Sequence, residues 1–273
     1  MLSQEQIRFY DDNGFVVLNG LFSSAELRAL QDDAVVLRSD QRGHPDANVL
    51  EKDGTTVRAA WAVEMDSEAC ARAYRLRRVL GPVKQLLGDD VYLHQSRLNY
   101  KAAGTGDIFQ WHQDYASWVH DGIPRGGHRD MLTVLITLDE SKPENGPLRF
   151  IPGSHKHGTI EPYYDTTTTS YPLHIVPDDY MARHFGAIEP YECIGPAGMV
   201  VLFCGNLVHS SRENTSAQGR RNLYFAYNRS DNRPTRAPTR QHKNNYIMSP
   251  TPFDLDYVAD DALERYARSL ATT

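Results

Sequence analysis

The sequence predicts a mainly β fold, an antiparallel sandwich or jelly roll flanked by helices. Three observations predict it: short β-prone runs recur from about residue 90 to 230, Gly- and Pro-bearing turns separate them, and helix-start patterns gather outside that stretch. Short strands at such spacing mark antiparallel two-layer or barrel architectures.

Ser3-x-x-Gln6 and Ser23-x-x-Glu26 are capping-box patterns, so helices are expected from about residues 4 and 24. Gly14 and the β-prone run at 15–18 part them. A third helix is expected within 67–87, where Cys70, Ala73, Leu76, Val79 and Leu80 form an apolar stripe near the helical period. Strand candidates follow at 91–93, 131–138, 148–151, 199–203 and 222–227. Asn145-Gly146-Pro147, Pro152-Gly153-Ser154 and Gly195-Pro196-Ala197-Gly198 punctuate them. An insertion from 159 to 190 is placed to act as a lid and carries a helical pattern at 177–185. The polar, proline-bearing stretch 231–245 reads as a loop or lid, and a last helix is expected over 260–270. The whole reads as one domain: a helical N-terminal part of about 1–88, a core of about 89–230, and a C-terminal loop and helix over 231–273.

The 273 residues are 40% hydrophobic and 10% aromatic, enough for a sizeable core. A net charge of −6 without a basic run argues against nucleic acid as partner. Cys70, Cys193 and Cys204 lack C-x-x-C spacing, so neither a disulfide framework nor a thiolate metal site is expected. No apolar run approaches a membrane span and no signal-like segment opens the chain, so a cytoplasmic protein without a membrane partner is expected.

Two imidazoles and a carboxylate that leave half an octahedron open are the ligand set of non-haem Fe(II) oxygenases. With 11 His and 35 acidic residues, about one or two His-x-Asp/Glu pairs arise by chance. The chain offers three. His44-Pro45-Asp46 and His128-Arg129-Asp130 sit in loop-like sequence, whereas His112-Gln113-Asp114 emerges from an aromatic, β-prone run. On an extended backbone residues two apart share a face, so His112 and Asp114 can converge on one ion. Among His155, His157, His174, His184, His209 and His242 as distal ligand, His209 has the best setting, after an apolar strand and a Gly205-Asn206 turn. Arg220 follows eleven residues later, and its planar fork suits the far carboxylate of a dicarboxylate cosubstrate, with the Ser211 hydroxyl as a second donor. Arg220 and Arg221 are adjacent, and a surface arginine remains the other reading of either.

His112-x-Asp114, His209 and Arg220, with Asn145-Gly146-Pro147-Leu148 and Ile151-Pro152-Gly153-Ser154-His155, resemble the phytanoyl-CoA dioxygenase family of Fe(II)/2-oxoglutarate enzymes. The blocks at 51–58, 94–101 and 111–115 are similar to its bacterial proline 4-hydroxylase and ectoine hydroxylase branch. The resemblance implies a double-stranded β-helix core of the jelly-roll, cupin-like kind. It implies Fe(II) on His112, Asp114 and His209, and 2-oxoglutarate on Arg220, Ser211 and Asn99, with O2 as the other cosubstrate. Gln95, Trp118 and Tyr224 fall where the ectoine branch lines its substrate pocket. The retained Asp114 disfavours halogenation, because relatives that halogenate replace this carboxylate with a small residue.

The implied reaction is hydroxylation of a small molecule with release of succinate and CO2. A free amino acid such as proline is the first expectation for the substrate, and ectoine or another natural-product precursor the second. Arg58, Arg97, Arg125 and Arg129 are candidate partners for a substrate carboxylate. Two other classes compete: a zinc-dependent hydrolase using the same trio, which gives Arg220 no role, and a non-catalytic jelly roll that binds a small molecule.

Overall fold

The computed structural model describes residues 1–39, 41–104, 106–236 and 255–270. Both capping boxes form, opening α1 (Gln4–Asn13) and α2 (Ser24–Leu37), with β1 (Phe15–Leu18) between them. β2 (Asn48–Leu50) and β3 (Val57–Trp61) come next, then the short helices α3 (Val63–Asp66) and α4 (Glu68–Ala73) and the longer α5 (Arg77–Leu87). The single helix expected over 67–87 is therefore two. Leu76 leaves the helical region at ψ 137 and bridges Val258, whose N–H donates to Arg75 O at 3.0 Å. The apolar stripe survives the break because it buries Cys70, Ala73, Leu76, Val79 and Leu80 in one core.

The remaining elements are β4 (Val91–Lys101), β5 (Phe109–His112), α6 (Tyr115–Trp118), β6 (Met131–Thr137), β7 (Leu148–Phe150), β8 (Tyr163–Asp165), β9 (Leu173–Ile175), α7 (Asp178–Phe185), β10 (Tyr191–Glu192), β11 (Val200–Cys204), β12 (His209–Ser211), β13 (Arg220–Arg229) and α8 (Ala262–Leu270). They build a seven-stranded sheet, β1-β11-β6-β13-β4-β3-β2, and a six-stranded sheet, β10-β7-β12-β5-β9-β8. Every pairing between these strands is antiparallel. Strands from both ends of the core meet in each sheet, as the jelly roll requires. The N-terminal 88 residues, expected as a helical part, also supply both edges of the large sheet through β1 and β2.

α1 to α5 and α8 share one apolar cluster with the large sheet, from Tyr10 and Leu30 to Val134, Phe203 and Phe225, whereas α7 packs through Phe185 on Ile151 and Val208. The two sheets face each other across a cleft, and β8 and β9, from the expected insertion, extend the small sheet along it. The expected lid over 231–245 begins as a 3-10 turn at Ser230–Asn232, pinned where Asn232 exchanges hydrogen bonds with Arg125 and Asn228. Its residues 237–245, His242 included, lie outside the described residues.

Candidate active site

β5 and β12 pair so that His112 stands directly opposite His209, with ring centroids 4.0 Å apart. His112 Nδ1 lies 2.7 Å from Gln110 O, and His209 Nδ1 lies 2.9 Å from Leu207 O. A carbonyl only accepts, so each Nδ1 carries the proton and each Nε2 keeps its lone pair. Asp114 Oδ1 sits 4.0 Å from His112 Nε2 and 3.8 Å from His209 Nε2. These ligand atoms all lie within 4.8 Å of one another, on three buried residues.

Asp114 arrives by a different route from the one expected. β5 ends at His112, and Asp114 has helical backbone (φ −57, ψ −38) at the head of α6, so a turn, not an extended repeat, swings the carboxylate round. The Tyr115 N–H donates to Gly205 O at 3.0 Å and fastens that turn to the chain leading into β12. Thr133 Oγ1, from β6, donates to Asp114 Oδ2 at 3.3 Å and leaves Oδ1 toward the imidazoles.

Burial, followed by the nearness of His209, pushes the His112 imidazolium down to about 3. Burial lowers His209 as well. For Asp114, burial favours the neutral acid, but Arg97 and the two imidazoles outweigh it and hold the carboxyl below its ordinary range. Neutral imidazoles beside a carboxylate are the protonation states a divalent cation needs, and two nitrogens with one oxygen suit Fe(II).

The cleft continues from this trio to Arg220 at the start of β13, within an empty volume of about 850 Å³. Arg220 is buried, and its guanidinium is fixed from behind by Asn145 O at 3.1 Å and Gly146 O at 2.6 Å. The Asn145-Gly146 turn therefore positions an arginine. Gly146 has φ +68, and a Cβ there would come within 2.4 Å of Arg212 O, so glycine is required. Among the described residues no carboxylate lies within ion-pairing reach of Arg220, and Asp139 is engaged by Arg221 at 2.7 and 2.9 Å. A buried guanidinium without an acid is costly unless an anion joins it. Of the adjacent arginines, Arg220 faces the cleft and Arg221 faces Asp139.

A family model described as phytanoyl-CoA dioxygenase (PhyH) matches residues 10–222. The chain belongs to the phytanoyl-CoA dioxygenase family. It is 33% identical over 246 residues to an ectoine dioxygenase of Stutzerimonas stutzeri (strain A1501), covering 85% of this chain and 78% of that protein. It is 36% identical over 239 residues to an L-proline trans-4-hydroxylase of Streptomyces griseoviridis, covering 82% and 86%. The crystal structure of EctD from S. alaskensis with 2-oxoglutarate and 5-hydroxyectoine superposes at TM-score 0.82, with 30% identity, 94% coverage of this chain and 88% of that one. The same enzyme with bound Fe superposes at 0.79, with 29% identity and the same coverage.

In this member of the phytanoyl-CoA dioxygenase family, one cleft gathers His112, Asp114, His209, Arg220, Ser211, Asn99, Gln95, Trp118, Tyr224, Arg58 and Arg97. Arg125 and Arg129 lie elsewhere, paired with Asp130 and Asp231 and with Asp11. The competing His-x-Asp histidines are also accounted for: His44 Nδ1 meets Asp66 at 2.7 Å, and His128 lies 3.5 Å from Asp11. Sequence reasoning missed Lys101, Trp61, Phe109 and Tyr171, which line the same cleft. Lys101 was within reach, since Gln95, Arg97, Asn99 and Lys101 alternate along β4 with the period of a strand face. Its ammonium donates to the carbonyls of Asp107 and Arg212, and burial, with Arg220 and Arg58 near, lowers it well below its ordinary range. Trp61 and Tyr171 come from β3 and the segment before β9, and their near-parallel rings meet only in the fold, 6.4 Å between centroids.

Proposed function

We propose that this chain is an Fe(II)/2-oxoglutarate-dependent hydroxylase whose substrate is ectoine or a close cyclic analogue. The observation that carries the class is one cleft with a buried His112, Asp114, His209 trio at one part and, at another, a buried Arg220 with no carboxylate in reach among the described residues. His112 Nε2, Asp114 Oδ1 and His209 Nε2 hold the metal. Arg220 takes the far carboxylate of 2-oxoglutarate as a bidentate, charge-assisted pair, with Ser211 and Asn99 beside it. When bound, Fe(II) supplies O2 activation coupled to oxidation of 2-oxoglutarate to succinate and CO2.

The chain's own residues orient the substrate and exclude water. Arg97 lies over the Trp61 and Tyr224 rings, 5.5 and 4.8 Å from their centroids; its Nη2 donates to Asp114 Oδ1 at 3.5 Å, and its buried Nε has no hydrogen-bond partner among the described residues. It is the group we assign to the substrate carboxylate, and Trp61, Trp118 and Tyr171 supply flat walls for a small ring. Arg58 is committed to Glu51 at 3.1 Å and to Ile108 O at 2.8 Å, so it buttresses the cleft. Ectoine, a cyclic amidine bearing a carboxylate, meets these groups. The 5-hydroxyectoine in the structure of the S. alaskensis relative supports ectoine ahead of proline. L-proline is the second reading, favoured by the 36% identity to a proline hydroxylase.

The test is succinate release with ectoine and with L-proline, followed by mass analysis for one added oxygen. Ectoine should stimulate succinate release and gain one oxygen. Faster coupled turnover with proline would move the assignment to the second reading, and stimulation by neither would overturn both.

A further inference from the structure

Behind the wall formed by Gln95 and Trp118 lies a buried polar chain that no step above uses. The Trp118 Nε1–H donates to Gln95 Oε1 at 3.0 Å, the Gln95 Nε2 reaches Asp121 Oδ2 at 3.5 Å, and His94 Nε2 meets the same oxygen at 2.9 Å. All four side chains are at most 2% exposed. The His94 ring also stands edge-on to Trp118, 5.8 Å between centroids and 83° between planes.

Neighbours on a strand normally point to opposite faces, so His94 and Gln95 should not share a partner. They do because β4 carries a bulge there: across β13, Ala226 pairs with Gln95 but Tyr227 pairs with Leu93, leaving His94 as the extra residue. Bulges re-aim side chains beside active sites, and this one turns two adjacent residues onto one carboxylate. The carboxylate in turn decides which way the Gln95 amide points. Its NH2 must face the acceptor Asp121, so its oxygen must face the indole N–H, a group that can only donate.

We propose that Asp121 is a positioning residue for hydroxylation: through Gln95 it fixes the orientation of the Trp118 wall against the substrate. The inference rests on the reading of Gln95 and Trp118 as the substrate end of the cleft. Asp121→Ala removes the acceptor that Gln95 and His94 share, so nothing holds the Gln95 NH2 away from the Trp118 N–H. Asp121→Asn keeps one oxygen that can take the Oδ2 place and accept from both, so it is the rescuing variant. Gln95→Glu sets two carboxylates face to face.

Hydroxylated product per succinate, KM for whichever of ectoine or L-proline the wild type hydroxylates, and KM for 2-oxoglutarate would be compared across these variants. The Trp118 indole N–H would also be followed by NMR exchange in protein without substrate. Asp121→Ala and Gln95→Glu should each lose at least about half of the coupling and raise the substrate KM about tenfold, while the 2-oxoglutarate KM moves less than about twofold, the size expected for one lost charge-assisted hydrogen bond. Indole exchange should speed up in both. Asp121→Asn should keep coupling and indole protection beyond either. Gln95→Glu carries the comparison if Asp121→Ala does not fold. Unchanged coupling and exchange in folded Asp121→Ala or Gln95→Glu, or Asp121→Asn no better than they are, overturns the proposal. A wild type that hydroxylates neither compound overturns the functional reading instead.

Discussion

Replacing Arg220 with methionine separates a cosubstrate anchor from a structural arginine. The guanidinium is buried, held by two carbonyls, and without a carboxylate within reach among the described residues. Methionine leaves Asn145 O and Gly146 O short of a donor, at about 1 to 3 kcal/mol each, but removes a buried charge that costs several kcal/mol. The variant without ligand should therefore fold with a melting temperature within a few degrees of wild type. Lost bidentate binding of a carboxylate is worth about 3 kcal/mol, or on the order of a hundredfold in affinity. At a 2-oxoglutarate concentration of about one hundred times the wild-type Kd, linkage stabilises the anaerobic Fe(II) protein by about 2.7 kcal/mol, but a variant bound a hundredfold more weakly by only about 0.4 kcal/mol. For a chain of this size that separates a shift of roughly 5 to 10 °C from one of about 1 °C. Differential scanning fluorimetry with and without 2-oxoglutarate reads it directly. An undiminished shift in Arg220→Met would refute the anchor, and collapse of the ligand-free variant would make Arg220 a structural residue.

Two further outcomes follow from the same geometry. His112 is neutral in the fold, with its imidazolium pushed down to about 3 against an ordinary value of 6.5, so below pH 6.5 the unfolded chain binds the extra proton. Stability is then full above 6.5 and lost as pH falls. Metal-free protein should lose about 2 kcal/mol between pH 8 and pH 5 from this residue, and urea midpoints for wild type and His112→Gln, which should lose correspondingly less, check it. Gly146→Ala forces a side chain into φ +68 against Arg212 O and displaces a carbonyl that holds Arg220. It should cost about 1 to 3 kcal/mol of stability and raise the 2-oxoglutarate KM more than the substrate KM, as steady-state kinetics would read.

The parts legible in the sequence were those with an intrinsic chemical signature. Ser3 and Ser23 form their caps as written, and the apolar runs of β6, β11 and β13 are strands because they are buried in the large sheet. His112, Asp114, His209 and Arg220 stood out through residue type, spacing and resemblance. Asp114 converges on the imidazoles through a turn at the end of β5 that no two-residue period reveals. β3, with Arg58 and two alanines, has little strand signature, and β8, β9 and β10 are two or three residues long. The break at Leu76 depends on backbone contact with Val258, far away in sequence. His94 and Gln95 share the Asp121 carboxylate only because a bulge turns adjacent residues the same way, which is a matter of register with β13.

The central claim, that one cleft holds Fe(II) on His112, Asp114 and His209 and 2-oxoglutarate on Arg220, is tested most directly by anaerobic titration with both, followed by visible absorption. A weak charge-transfer band that requires Fe(II) and 2-oxoglutarate together, saturates at one iron per chain and is absent in Asp114→Ala plus His209→Ala is the predicted result. No band from folded wild-type protein, or a band that survives in the double variant, would contradict it.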